Sequence, residues 1–356
     1  MKRRDFLKTA GLATAAGAFA SVPPNGFSAE STTPPTAHKP KRMTAYYFMG
    51  QDLCLVRRHL RADMEWMKAI GTDAVAIGIH EFQLNYGRAM QLDILFEEAR
   101  RAGVGVFAIP SRWGGLVAGW PPAAGQFAAT HPEAWALNAN GNPHFAVFCG
   151  GNVCSIFNPE LLTFFQETLS NMLSQWPLDG IVWDELKTLD IEDYSAHAVR
   201  VLGRPAKVAD QFQATIKFFS QANQFARGKK PELVISNFIY AHLPDAAMQS
   251  CASIQGLDYF GIDGRCWPGS QPAEKVLFGN MDRARKVCAA RGLGSLALVE
   301  TQFMGAADAR RTLEHLPAFL EQPLDHLLYY YHGTSRNDED VCMDGMRPLL
   351  EKWRKN

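Results

Sequence analysis

Residues 178–187, LDGIVWDELK, form an apolar run that stops abruptly on two adjacent carboxylates, Asp184 and Glu185. A buried strand ends on paired acids where its end opens into water or onto a substrate, because an ionised carboxylate is costly in an apolar interior. Two further runs end the same way: YFGID on Asp263 and LALVE on Glu300. Paired carboxylates can give and take protons or attack an electrophilic carbon. Flanking a glycosidic bond, they supply the proton donor and the nucleophile or base that its cleavage needs.

The other strand-end residues suit the same chemistry. Tyr47 follows the first apolar run, His80 the second, and Arg112 and Trp113 the third. Asn237, Arg265, Trp267, Gln302, Tyr331 and His332 close the later ones. Aromatic rings stack on the apolar face of a sugar, and amide, imidazole and guanidinium groups bond its hydroxyls. Each residue also has a plainer role open to it. Asp184 can cap a turn or pair with Lys187, Trp113 can pack a loop on the core, and His80 and His332 can be satisfied rim histidines. Strand alternation would turn Glu185 to the face opposite Asp184. Alternation also splits Tyr329–Tyr331, with Tyr331 near the mouth.

The elements that must hold these residues are legible from periodicity. Strand-like runs fall at 43–48, 74–79, 105–109, 180–184, 233–237, 259–263, 296–300 and 326–331. Between them lie helical patterns such as HLRADMEWMKAIG, PELLTFFQETLSNMLSQW and AEKVLFGNMDRARKVCAARG, with apolar residues three or four apart. Gly71, Gly103 and Gly292 stand where helices end. Alternating strands and helices of this number predict an α/β fold, a (β/α)8 barrel in one domain, with its chemistry at the C-terminal ends of the strands. No G-x-G-x-x-G follows the first strand, which argues against a doubly wound open sheet. Residues 110–158 form the one large insertion.

The first 42 residues are set apart. Arg3 and Arg4, followed by Asp5, Phe6, Leu7 and Lys8, resemble the twin-arginine export signal, and the Ala- and Gly-rich stretch after them is too short for a membrane span. The expected organisation is a signal peptide over 1–29, a flexible leader over 30–42 and the barrel over 43–356, with the mature protein periplasmic or secreted. Thirty-six acids balance 36 bases. That neutrality argues against nucleic acid or an anionic membrane surface as partner. Seven cysteines are scattered without metal-ligand spacing. Cys149 and Cys154 are close enough to bridge, and free buried thiols are the alternative. No metal and no organic cofactor is expected, and the oligomeric state is left open.

Residues 131–187 resemble barrel glycoside hydrolases, several families of which close strand four with a D-G-hydrophobic-x-hydrophobic-D phrase. Asp179 and Gly180 match its opening and Asp184 its final Asp. In the α-glucosidase and α-galactosidase clan that resemblance implies Asp184 as nucleophile and Asp263 as acid/base. The β-glycosidase clan, with Glu at the ends of strands four and seven, implies Glu185 and Glu300 instead. The expected function is glycoside hydrolysis with a carbohydrate substrate, Asp184 acting as nucleophile or base and Asp263 or Glu300 as acid/base. The alternative is a carbohydrate-binding barrel without catalysis. Unlike in the first clan, no β-sandwich is expected after the eighth strand and its helix.

Overall fold

The computed structural model describes residues 39–47, 56–85, 90–120, 123–146, 151–269, 275–302, 304–331 and 339–356, all within the unit Ala37–Asn356. The expected barrel is present. Its strands are β1 Arg42–Tyr46, β2 Ala74–His80, β3 Gly105–Ser111, β4 Gly180–Asp184, β5 Val234–Tyr240, β6 Tyr259–Gly264, β7 Gly294–Val299 and β8 His326–Tyr330. Each pairs in parallel with the next, and β8 closes onto β1. The covering helices are α1 Arg57–Ala69, α2 Met90–Ala102, α3 Pro159–Gln175, α4 Val208–Lys229, α5 Asp245–Ala252, α6 Asn280–Ala289, α7 Ala306–Leu320 and α8 Glu339–Lys355. Gly71, Gly103 and Gly292 take φ of 86°, 69° and 65°, the left-handed conformation that ends a helix.

The period of two sorts the large apolar residues of the strands into two clusters. Tyr46, Phe107, Ile109, Val182, Phe238, Leu298, Leu328 and Tyr330 fill the barrel interior. Their chain neighbours Tyr47, Ala108, Ile181, Trp183, Ile239 and Tyr329 face outward, in the cluster that packs the helices onto the barrel. Trp183, for example, lies edge-on to Phe219 of α4 at 5.1 Å and donates its indole N–H to Asn223 Oδ1 at 2.7 Å.

One device recurs four times. An aspartate just before each even-numbered strand accepts the backbone N–H of a residue near the start of the preceding odd-numbered strand. Asp73 takes Met43, Asp179 takes Val106, Asp258 takes Ile235 and Asp325 takes Ser295, at 2.8, 2.8, 3.0 and 2.8 Å. Each amide lies near a strand start, where the ladder leaves backbone groups to be satisfied otherwise. Together the four pins set the register of the strands in pairs. Asp179 and Gly180, which carry the family resemblance, therefore have a structural reason: a Cβ on Gly180 would fall 2.5 Å from the Val234 carbonyl oxygen and 2.9 Å from the Phe107 ring.

Several expected boundaries shift. β5 starts at Val234 and runs on to Tyr240, so Asn237 lies in mid-strand rather than at an end. The helix expected from residue 273 begins only at Asn280, because the chain first pairs with the end of β6. Arg265 N–H donates to Lys275 O and Leu277 N–H to Arg265 O, at 3.1 and 2.7 Å. The ordered base of the barrel reaches into the expected leader: Lys41 Nζ donates to Trp353 O at 2.6 Å and Tyr259 Oη to Pro40 O at 2.7 Å. Cys154, the described member of the expected Cys149–Cys154 bridge, is a buried free thiol, as are Cys251 and Cys288. Cys149 itself, like residues 1–38, lies outside the described residues.

Replacing Asp179 with Ala strands the buried Val106 amide, and the unfolding free energy is expected to fall by about 1–3 kcal/mol. Urea denaturation measures it. An unchanged midpoint would mean that the four aspartates do not hold the register.

Candidate active site

Inward-facing residues at the C-terminal ends of the strands converge on one cluster of charges. Asp184 closes β4 on the interior parity of Gly180 and Val182, and accepts a 2.6 Å hydrogen bond from Tyr46 Oη at the end of β1. Asp263 in β6 and Glu300 just past β7 share that parity. Glu185 should face outward, but its φ of 40° is left-handed and breaks the alternation. The bend is fixed on both sides: Ala118 N–H donates to Asp184 O at 2.8 Å and Glu185 N–H to Phe238 O at 3.1 Å. Glu185 thereby joins Asp263 and Glu300, one carboxylate oxygen of each lying within 4.8 Å of the others. The expectation that Glu185 points away is thus corrected by a single backbone turn.

Two lysines from the loops balance these acids. Lys275 Nζ lies 2.6 Å from Glu300 Oε1, 3.0 Å from Asp263 Oδ2 and 3.5 Å from Glu185 Oε1. Lys187 Nζ bonds Glu185 Oε2 at 2.8 Å and Tyr240 Oη at 2.7 Å. Both ammonium groups also lie over the Tyr240 ring, 4.5 and 4.6 Å from its centroid. Lys275 reaches the cluster because residues 275–277 extend along β6 instead of starting a helix.

The protonation states diverge. Burial works against an ionised Glu185, yet the charges of Lys187 and Lys275 overrule it and hold Glu185 below the ordinary carboxylate range. Asp263 moves the opposite way: burial first, then Glu185 and Glu300 beside it, raise it well above that range in spite of Lys275. No donor from elsewhere in the described residues reaches the buried Asp263 Oδ1, and a proton kept on Asp263 is offered to Glu185. Like charges at this separation repel by roughly 3–4 kcal/mol at an effective dielectric of about 20, enough to hold one proton in the group. Asp184 is also raised, by burial and then by Glu185. An acid that keeps its proton beside a carboxylate that keeps its charge is the division of labour that acid/base and nucleophilic catalysis by two carboxyl groups requires. Glu185, Asp263 and Glu300 also have the donor set for a divalent cation; in the arrangement described, the Lys275 ammonium lies within reach of all three.

Not every expected contact lies here. Arg112 does: it is buried, with a left-handed φ of 64°, and its positive charge favours the deprotonated forms of both Asp184 and His80. His80 ends β2 on the inward parity, and burial pushes its imidazole down to about 4, so it is neutral. Trp113 is not an open platform. It is fully buried, its indole N–H donates to Ile79 O at 2.9 Å, and its ring meets Phe165 edge-on. Tyr47 and Tyr331 lie on the outward parity and both donate to Asp63 of α1, at 2.6 and 2.9 Å. Asn237 faces outward too, its amide donating to Trp183 O at 3.0 Å.

Arg265 serves as a scaffold, donating to Glu300 O and Gln302 O at 2.9 Å each. Gln302 is thereby held at the β7 end by its backbone. Trp267 points to α7, where its indole N–H meets Thr312 Oγ1 at 3.3 Å. His332 falls outside the described residues. The residues not among the expected site contacts are Tyr46, Tyr240, Tyr330, Lys187, Lys275 and Trp120, the last packed against the interior cluster. A strict count of parity along LVISNFIY would have marked Tyr240.

No protein-family model matches the chain, and no curated protein matches it by sequence. Its fold is similar to that of several solved glycosidases. An α-L-fucosidase isoenzyme 2 from Paenibacillus thiaminolyticus superposes with a TM-score of 0.56 at 10% identity, over 89% of this chain and 49% of that one. A β-galactosidase from Rahnella sp. R3 gives 0.57 at 11% identity, over 89% and 57%. GH5_18 from Streptomyces cattleya in complex with GlcNAc gives 0.56 at 12%, over 90% and 82%. The chain thus spans only about half the length of the first two. What these structures have in common with this chain is the (β/α)8 barrel.

Proposed function

We propose that the protein is a glycoside hydrolase that uses Asp263 as the acid and Glu185 as the nucleophile. What carries the reading is the convergence of Glu185, Asp263 and Glu300 at the C-terminal mouth of the barrel, with Glu185 favouring its charged form and Asp263 its neutral one. The fold shared with solved glycosidases supports the same reading.

Asp263 gives its proton to the glycosidic oxygen as the bond from that oxygen to the anomeric carbon breaks, and the alcohol leaves neutral. Glu185 closes on the anomeric carbon from the other side and forms an ester. Asp263, now ionised, takes a proton from water, whose oxygen attacks the same carbon and releases Glu185. The approach of these carboxylates favours this double displacement, since an inverting pair stands further apart to admit a water. Glu300 holds Lys275, and Lys275 helps to keep Glu185 ionised. Asp184, bonded by Tyr46 inside the barrel, supports the site from below instead of taking the nucleophile's part. Screening aryl glycosides and polysaccharides tests the activity, and a protein inert to every sugar in the panel would refute it.

The chain is also proposed to be exported through its twin-arginine signal. A variant with Lys at positions 3 and 4 should then remain inside the cell, and its normal export would remove the assignment.

The pH profile follows from the two shifts. Asp263 must be protonated to act, and its raised pKa places the alkaline limb of kcat/KM above the ordinary carboxylate value of about 4. Glu185 must be ionised, and its lowered pKa moves the acid limb below that value. The expected profile is a broad bell spanning the ordinary carboxylate range. Loss of activity as pH rises through about 4–5 would contradict the assignment of Asp263 as acid.

A further inference from the structure

The reacting atoms of the proposed hydrolysis have to lie between Asp263 and Glu185, and a protein atom is already there. Lys275 Nζ stands 3.0 Å from Asp263 Oδ2, 3.5 Å from Glu185 Oε1 and 2.6 Å from Glu300 Oε1. An anomeric carbon poised for attack lies about 3–3.5 Å from the oxygen of its nucleophile. The departing oxygen lies about 2.6–3.2 Å from the acid that protonates it. The ammonium meets both distances at once, so it and a productively bound glycoside exclude each other.

Exposure points the same way. The Lys275 side chain is 34% open to solvent, against 2% for Asp263, 8% for Glu300 and 12% for Glu185. Its backbone is fixed, because Lys275 O accepts Arg265 N–H at 3.1 Å and Leu277 N–H donates to Arg265 O at 2.7 Å. Withdrawal is therefore a rotation of the side chain alone, and the group that withdraws is a cation. Burial works against its charge, but Asp263, Glu185 and Glu300 overrule it and keep the ammonium protonated. Glu185 retains a second cation meanwhile, since Lys187 Nζ bonds its other oxygen, Oε2, at 2.8 Å.

We propose that Lys275 is an internal plug: its ammonium occupies the place of the substrate's anomeric centre, and a glycoside binds productively only by displacing it. This rests on the hydrolase reading and adds a regulation to it. Positive charge develops on the sugar as the glycosidic bond breaks, and carboxylates arranged to stabilise that charge also hold a lysine in its place. Three ion pairs must loosen before the sugar can settle. The apparent affinity for substrate is reduced by the fraction of protein in which they have done so. Glu300, which makes no bond to the sugar in the double displacement, is the nearest of the three acids to the ammonium and anchors it.

Lys275→Ala removes the plug and leaves room for the part it lacks, so propylammonium chloride is the probe. KM for an aryl glycoside that the protein accepts should fall about tenfold or more, because the variant no longer spends part of its population closed. Propylammonium should raise that KM again in competition with the substrate, and leave the wild-type protein unaffected. Lys275→Gln, which keeps a polar chain without the charge, should lower KM in the same direction and replaces the Ala variant should that one not fold. A KM that is unchanged or raised in the folded variants, or propylammonium that does not compete, would overturn the plug, since the lysine would then stay in place during turnover. Melting temperatures read the same cavity without turnover. Propylammonium should stabilise Lys275→Ala relative to an equal concentration of sodium chloride and leave the wild type unchanged. That stabilisation, in a protein whose wild type and variants hydrolyse nothing, would refute the hydrolase reading and still support the lysine as a removable occupant of the three acids. Its absence would overturn the plug whatever the activity.

Discussion

A closed parallel barrel makes each strand side chain choose between the interior and the helix layer, and the functional geometry of this protein depends on that choice. Tyr46 and Tyr330 reach the interior while their neighbours Tyr47 and Tyr331 bond Asp63 on α1. A slip of one residue in any strand would exchange the two sets. The four aspartates before β2, β4, β6 and β8 oppose such a slip, since each pins an amide of the strand beside it. The site then needs one departure from the rule. Glu185 lies one residue past an inward Asp184 and joins the inward cluster only through a left-handed backbone. Strain of this kind persists where surrounding bonds over-determine it, and it concentrates at functional sites.

The charges follow the same economy. Four carboxylates gather at the mouth with Lys187, Lys275 and Arg112 as the cations near them. Buried ion pairs of this sort contribute little net stability, because desolvation offsets most of their attraction. What they do supply is a difference between neighbours: Glu185 favours the charged form and Asp263 the neutral one. Neighbouring carboxyl groups held in opposite protonation states at the mouth of a barrel are what a catalytic site requires.

The fold was legible in the sequence because continuous apolar runs and amphipathic helices alternate throughout, and the acids that close YFGID, LALVE and VWDE mark the rim. The aspartate pins were legible too, in the L-D that opens LDGIVWD, LDYFGID and LDHLLYY, yet a single such pair reads as an ordinary turn. Parity was hardest to read where aromatics run together. In TAYYF and LLYYYH every residue is apolar enough for either face, so hydrophobicity cannot say which ring turns inward. Trp113 misled for a related reason: the left-handed Arg112 before it turns the indole under the loop, and no local pattern announces that turn. Lys275 was hidden by a helical periodicity that its pairing with β6 overrides.

The central claim is that the turn at Glu185 brings a nucleophile to the sugar. A 2-deoxy-2-fluoro glycosyl fluoride of a sugar the protein accepts should slow release of the covalent intermediate and let it accumulate, so that peptide mass mapping can locate the sugar. The account predicts the adduct on Glu185. An adduct on Asp184, or steady turnover of the reagent with no adduct on any carboxylate, would contradict it.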